Sequence, residues 1–293
     1  MRDGNIRLKG FMRSTPRGWI RSEVVLARVI ELAGWIPFVG TALRWYAGRY
    51  SEGSVVTIRS GYARGMRWGR HHRYVNGYWL GQYELPVQAA LVRELKPGAV
   101  FFDVGANAGF FTLLAARRIG PMGKCIAFDP DPENIASILE QCSLNGLSSV
   151  LVVNEAISDS VGRAWFTRVH PGAATGHLWN GKSVEEPIEV VTTTLDASAA
   201  TYGAPDLIKI DVEGEEGRAL RGGTNLLRER RPKWLVEIHS PDCEADVRSA
   251  FDPACYELCS LDGESLTGNG VLPKQVLVRP REPGPAVAML RGH

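Results

Sequence analysis

The sequence predicts an α/β domain of the doubly wound, nucleotide-binding kind, preceded by a basic extension of helices and a hairpin. Three observations lead there. The stretch Ala99 to Ala116, AVFFDVGANAGFFTLLAA, reads as a buried strand, a glycine-bounded bend and an apolar helix. A second apolar segment, Cys125 to Phe128, closes on Asp129, 24 residues beyond Gly105, where an acid that grips a ribose is expected. Two later runs, Leu207 to Ile210 and Trp234 to His239, are short enough for buried strands and end in Asp211, Glu213, Glu237 and His239.

The bend also selects its nucleotide. A dinucleotide fingerprint needs G-x-G-x-x-G so that a pyrophosphate can sit on the helix N-terminus, whereas Gly105-Ala106-Asn107-Ala108-Gly109 places Asn107 where the second glycine would be. Asp103, just ahead of the bend, disfavours a phosphate and suits an ammonium group. A ligand with a ribose at one end and a cationic amino acid at the other matches both acids, and S-adenosylmethionine is such a ligand.

The remaining elements follow in order. Residues 1 to about 17 lack periodicity; Arg21 to Ala33 has helical spacing, and a second short helix is expected over Val39 to Tyr50. Val55 to Ile58 and Gly65 to Trp68 read as a hairpin around Gly61. The aromatic segment Tyr74 to Glu84 precedes a helix from Pro86 to Leu95, which Pro97-Gly98 ends. After Asp129 a helix runs from Pro132 to Leu144 and a third strand covers Val150 to Val153, whose carboxyl end brings Asn154 and Glu155 near the adenine. Ser158 to Thr194 lacks βα periodicity and predicts a hairpin, Arg163 to Val169 and Ile188 to Thr193, around a loop from Pro171 to Lys182 that carries His177. A helix is expected from Glu215 to Arg228 and another near Glu244 to Phe251; strands near Tyr256 to Ser260 and Gln275 to Arg279 complete the sheet.

Composition sets the outer bounds. With 293 residues, 44% hydrophobic and 23% charged, the chain can bury a full core. Five scattered cysteines without C-x-x-C argue against a disulfide frame or a zinc site and for a reducing, cytoplasmic setting. No signal-peptide pattern opens the sequence, and the uncharged run Leu32 to Leu43 is too short to cross a bilayer. Residues 1 to 73 hold 14 Lys and Arg against 4 Asp and Glu, whereas the remainder is acidic. That extension could face solvent, an anionic membrane surface as a peripheral contact, or a nucleic acid.

The segments FFDVGANAGFFTLLAA (101–116), AFDPDPEN (127–134), NEAISD (154–159), TTLD (193–196), KIDVEGEE (209–216) and EIH (237–239), with GQYE (81–84), resemble the FkbM family of class I S-adenosylmethionine-dependent methyltransferases. The resemblance covers about Gly77 to Ser260 and departs at Asp129, where the family often has glutamate. It implies a Rossmann-like, seven-stranded, mostly parallel sheet with an antiparallel last strand. It also implies O-methylation of a hydroxyl on a sugar, glycolipid, polyketide or related metabolite. The domain organisation is then a basic extension over 1–75, a methyltransferase domain over 76–280 and a tail over 281–293.

Residue roles follow from this reading. Asp103, Gly105, Ala106, Asn107, Gly109, Phe110, Asp129, Pro130, Asn154, Glu155, Ala156 and Asp211 are expected around the methyl donor. Tyr83, Glu84, His177 and Glu237 are expected on the acceptor side. For the proton of the reacting hydroxyl His239 is the first choice, because imidazole titrates near neutrality, and Asp211 or Glu213 the second. Alternatively Asp211, Glu237 and His239 hold a divalent metal. Two rival functions are a nucleic-acid methyltransferase, which the basic extension favours but which lacks an N/D-P-P-Y/F tetrapeptide, and a nicotinamide oxidoreductase, which lacks the second glycine. Oligomeric state is left open.

Overall fold

The computed structural model describes residues 50–168, 175–178, 187–268 and 270–281. The helices expected before Tyr50, most of the basic surplus, most of the loop from Pro171 to Lys182 and the tail lie outside these residues.

A hairpin of β1 (Ser54–Thr57) and β2 (Arg67–Arg70) opens the described chain. It packs on α3 (Pro132–Asn145) through side-chain amides that continue the strand's own hydrogen bonding. The Gly69 N–H donates to Gln141 Oε1 at 2.8 Å and Gln141 Nε2 donates back to the Gly69 carbonyl at 3.0 Å. Asn145 makes the same exchange with Arg67, at 2.8 Å each way.

The central sheet has seven strands: β3 (Val100–Val104), β4 (Lys124–Phe128), β5 (Val150–Val153), β10 (Leu207–Ile210), β11 (Lys233–Glu237), β12 (Tyr256–Cys259) and β13 (Gln275–Pro280). Their spatial order is β12-β13-β11-β10-β3-β4-β5; neighbours from β11 to β5 run parallel, and β13 is antiparallel to both β11 and β12. This is the expected sheet with its antiparallel last strand. The inner parallel strands β3, β4 and β10 are buried on both faces and read as mostly apolar runs, and one core lies on each side, with Phe101 and Leu235 in one and Phe102, Ile208 and Trp234 in the other. The chain leaves β3 toward β4 on one side and meets β10 on the other, so a crevice opens at the carboxyl end of β3.

Helices α1 (Leu85–Glu94), α2 (Phe110–Ile119) and α3 pack on one face, and α4 (Leu195–Tyr202), α5 (Glu216–Arg221) and α6 (Pro241–Ala250) follow later. Their ends carry the chemistry that sequence rules require: Asp131, Thr194 and Ser240 accept backbone N–H groups at the starts of α3, α4 and α6, and Gly146 closes α3 in the left-handed region.

One expectation is corrected and one is extended. The helix from Glu215 to Arg228 stops at Arg221, and Gly222 follows it where the Ser158 carbonyl runs so close that a Cβ would meet its oxygen at 2.1 Å. The chain restarts as a π turn, Leu226–Arg230, whose first N–H groups are taken by Asp196: Asn225 at 2.9 Å and Leu226 at 3.0 Å. The expected antiparallel pairing of the segments around Arg163 and Ile188 does form, as β7 (Gly162–Arg168) with β9 (Ile188–Thr193), and it is extended by β6 (Ala156–Ile157) and β8 (Gly176–Leu178) into a separate four-stranded sheet ordered β6-β9-β7-β8. Ala156, beyond the expected end of the third strand, pairs in β6 with Thr192 because the chain leaving β5 finds β9 as a parallel partner. Among the described residues no helix is long and apolar enough to cross a membrane, and the five cysteines are free.

Glu94, buried at the end of α1, holds three elements together by bonding to Arg93, to Lys233 at the start of β11 and to Arg279 of β13. Burial alone would raise its carboxyl, but those cations hold it down to about 2. A folded-state value below the unfolded one means stability that is fully present above the ordinary glutamate value of 4.5 and is lost as pH falls toward 2. Urea titrations at pH 6 and pH 3 should therefore show a larger acid loss for the native chain than for Glu94→Gln.

Candidate active site

The crevice at the end of β3 is a cavity walled by strand ends of both sheets and by the aromatic segment before α1. On one side lies the glycine bend. Gly105 has φ +78°, and a Cβ on it would sit 1.8 Å from the Asp211 carbonyl oxygen, so two strand ends meet there only because the side chain is absent. Asn107 stands at φ +51°, which explains the departure from a glycine: asparagine tolerates the left-handed region better than other side chains. Its Oδ1 also accepts the Ala108 N–H at 2.7 Å.

Asp129 is 4% exposed and three of its hydrogen bonds are internal. Oδ2 accepts the Asn107 N–H at 2.8 Å; Oδ1 accepts the Asp131 N–H at 2.9 Å and Asn134 Nδ2 at 3.0 Å. A carboxylate has about four acceptor positions, so one, on Oδ2, is left for a ligand hydroxyl. Burial pushes the group up to about 7 despite those bonds. Asp129→Ala should weaken binding of the demethylated donor, S-adenosylhomocysteine, by about tenfold or more in calorimetry, with turnover at saturating donor changed less.

Two expected donor contacts prove indirect. Asp103 does not reach the cavity: strand alternation turns it toward α2, where Thr112 Oγ1 donates to Oδ2 at 2.6 Å and Oδ1 has no hydrogen-bond partner among the described residues. Asn154 lies behind the wall and supports it, its Nδ2 donating to the carbonyls of Asp129 at 3.0 Å and Pro130 at 2.9 Å. Gly109 is the left-handed residue that starts α2 rather than part of the lining. Ala106, Phe110, Pro130, Glu155 and Ala156 do line the cavity.

On the other side β10 and β11 deliver the remaining candidates. His239 Nδ1 is bonded to Glu216 Oε1 at 2.8 Å, while Nε2 faces Glu213 and Glu237 at 3.5 Å and Asp211 at 3.7 Å. The bond to Glu216, reinforced by these carboxylates and opposed by burial, lifts the imidazole to about 9. The expectation of a histidine that titrates near neutrality therefore does not hold. Glu216 itself is fully buried; burial would raise it, yet its bond to His239 holds it below the ordinary value. Its Oε1 also accepts the N–H groups of Val212 and Gly214, each at 3.2 Å, across a turn in which Glu213 has φ +52°.

Lys209, buried in β10 opposite Asp103, donates to Asp211 Oδ2 at 2.9 Å. Burial would lower its ammonium, but Asp211, Asp103 and Glu84 hold it raised. Lys274 bonds Glu237 at 2.6 Å. Tyr83, Glu84 and His177 line the cavity as expected, joined by Tyr78, which stacks on Phe110 with centroids 5.4 Å apart. Sequence reasoning missed Glu216, Lys209, Lys274 and Tyr78. Only Lys209 carried a plain signal: a lysine inside a buried four-residue strand demands a counter-ion.

Strand order, the glycine bend at the switch point and an acid closing the second parallel strand define a nucleotide-binding α/β domain of the class I methyltransferase type. The model of the methyltransferase FkbM domain matches residues 103–261, and the chain belongs to that family of methyltransferases. Hexuronic acid methyltransferase AglP of Haloferax volcanii is 28% identical over 240 residues, covering 78% of this chain and 90% of the relative. The 2-O-methyltransferase NoeI of Sinorhizobium fredii is 29% identical, covering 63% and 79%. The 31-O-demethyl-FK506 methyltransferase FkbM of Streptomyces tacrolimicus is 31% identical, covering 51% and 68%.

The residues present fit S-adenosylmethionine as the methyl donor. Gly105, Ala106 and Asn107 of the bend line the cavity, Asp129 keeps one acceptor for a ribose hydroxyl, and no cation among the lining residues of the bend awaits a phosphate.

Proposed function

We propose that the protein methylates a hydroxyl of a sugar, glycolipid, polyketide or related secondary metabolite. The observation that carries this reading is that the donor half, Gly105 and Asp129, and the acid–histidine cluster, Asp211, Glu213, Glu237 and His239, line one cavity. The relatives named above, which act on a hexuronic acid, at a 2-O position and on demethyl-FK506, support the same acceptor class.

Bound S-adenosylmethionine supplies an electrophilic methyl group. The chain's share is alignment of the acceptor oxygen, worth up to about 7 to 11 kcal/mol, and a place for the hydroxyl proton. His239, held cationic by Glu216, is poorly placed to take that proton in its resting form. We assign proton uptake to Asp211 or Glu213. Burial raises the Glu213 carboxyl, which improves it as a base. In this assignment His239 orders the carboxylates around itself.

A second reading gives Asp211, Glu237 and His239 a divalent cation. Their ligand atoms lie within 4.8 Å of one another, they offer hard oxygen and nitrogen donors, and Glu216 on the far imidazole nitrogen is the support that metal-bound histidines usually have. Against it, Lys209 and Lys274 already compensate Asp211 and Glu237. We place the protein in the cytoplasm on its free thiols, with the basic residues 1–73 as a contact for an anionic membrane surface.

The test is incubation with S-adenosylmethionine and a panel of candidate glycolipids and polyketides. One acceptor should gain 14 Da per methyl, and the gain should survive chelation with EDTA in the first reading but need added Mg²⁺ or Mn²⁺ in the second. Absence of heat with S-adenosylhomocysteine on folded protein would remove both.

A further inference from the structure

In the acceptor half, Glu84 has no ion pair among the described residues; a hydrogen bond with Tyr83 and the charge of Lys209 oppose the burial of its carboxyl but leave one of its oxygens without a partner. Asp211 has Lys209, and Glu237 has Lys274 and, at 3.0 Å, Gln275 Nε2. Glu84 lines the same cavity, yet its Oε2 is buried with no hydrogen-bond partner among the described residues.

The side chain is not explained by the local backbone. Glu84 precedes α1 in the position where a side chain normally accepts an N–H of the first turn, and it makes no such bond. The helix start is instead held by the Glu84 carbonyl, which accepts the Gln88 N–H at 3.0 Å, and by Gln88 Nε2, which donates to the carbonyls of Gly81 and Tyr83. Any residue would provide that carbonyl. Glu84 is also held at φ +43°, ψ +55°, a left-handed conformation that suits glycine or asparagine and not glutamate. Conformational strain and an unpartnered buried oxygen are both unfavourable unless a ligand compensates them.

We propose that Glu84 is a specificity-determining residue: Oε2 accepts a hydrogen bond from a hydroxyl or amino group beside the oxygen to be methylated, and its charge turns away acceptors that carry a carboxylate there. The inference rests on the reading that this cavity takes a hydroxyl acceptor, and within that class it excludes acceptors whose carboxylate lies beside the reacting oxygen. Burial and then Glu237 raise the Glu84 carboxyl to about 7, with Lys209 opposing, so the group is mostly ionised at pH 8.

The experiment is calorimetry at pH 8 on full-length protein loaded with S-adenosylhomocysteine. The probes are methyl glucoside, methyl glucosaminide and methyl glucuronide. The native protein should bind the glucuronide roughly tenfold more weakly than the other two. Glu84→Gln should shrink that gap to less than about threefold and leave S-adenosylhomocysteine affinity unchanged; Glu84→Ala repeats the comparison without a hydrogen-bonding side chain. Equal binding of glucuronide and glucoside, an equal change for all probes in Glu84→Gln, or no binding of any probe would overturn the assignment. Loss of S-adenosylhomocysteine binding by the native protein would instead overturn the methyltransfer reading beneath it.

Discussion

Asp211→Asn should lower turnover by about 10²-fold or more, the usual contribution of a positioned proton acceptor, with donor affinity within a few-fold of native. The substitution keeps the shape and the hydrogen-bond capacity toward Lys209 Nζ, now 2.9 Å from Oδ2, but removes the charge that faces both that ammonium and His239 Nε2. His239→Ala should produce a loss of similar order, because without the imidazolium three carboxylates share the space around Nε2 and repel one another. Steady-state kinetics at saturating donor separates these losses from donor binding, and thermal melts separate them from unfolding. Unchanged turnover in both variants would show that this cluster does not handle the reacting proton.

Gly105→Ala should abolish measurable donor binding and lower the melting temperature. Two costs add at this position. A φ of +78° strains any residue with a Cβ, and that Cβ would lie 1.8 Å from the Asp211 carbonyl oxygen, with the Val212 side chain at 3.3 Å. Strand ends β3 and β10 must separate, and the bend and Asp211 move together. Gly98→Ala is the control, since its φ is +83° but nothing lies within 4 Å. It should cost only the conformational term, about 1 kcal/mol. Calorimetry with S-adenosylhomocysteine on both variants distinguishes strain from clash; tight binding by Gly105→Ala would mean that the bend is not where the donor lies.

The fold was legible where local pattern and tertiary environment agree. The apolar runs Ala99 to Phe102, Cys125 to Phe128 and Leu207 to Ile210 read as buried strands, and each, Ala99 apart, falls in a parallel strand of the central sheet. It was illegible where a distant partner overrode local propensity. Residue 222, just past α5, must be a glycine because the Ser158 carbonyl passes there, and Ala156 is in a strand because β9 lies alongside. Neither partner is within ten residues in the chain.

The same division runs through the site. Which carboxylates emerge near His239 could be counted from strand ends, because alternating direction and strand termini are local properties of a chain. Which of them grips the imidazole could not, because that depends on the turn through Glu213 that folds Glu216 back onto β11, and on burial that no pattern of residue types reports. The amino-acid order by itself determined the sheet, the glycine bend, Asp129 and the acids of the cavity. Tertiary structure alone decided that Asp103 turns to Thr112 of α2, that Lys209 and Lys274 neutralise their neighbours, and that His239 rests as a cation, since protonation follows from distances between groups brought together only when β10 and β11 pair.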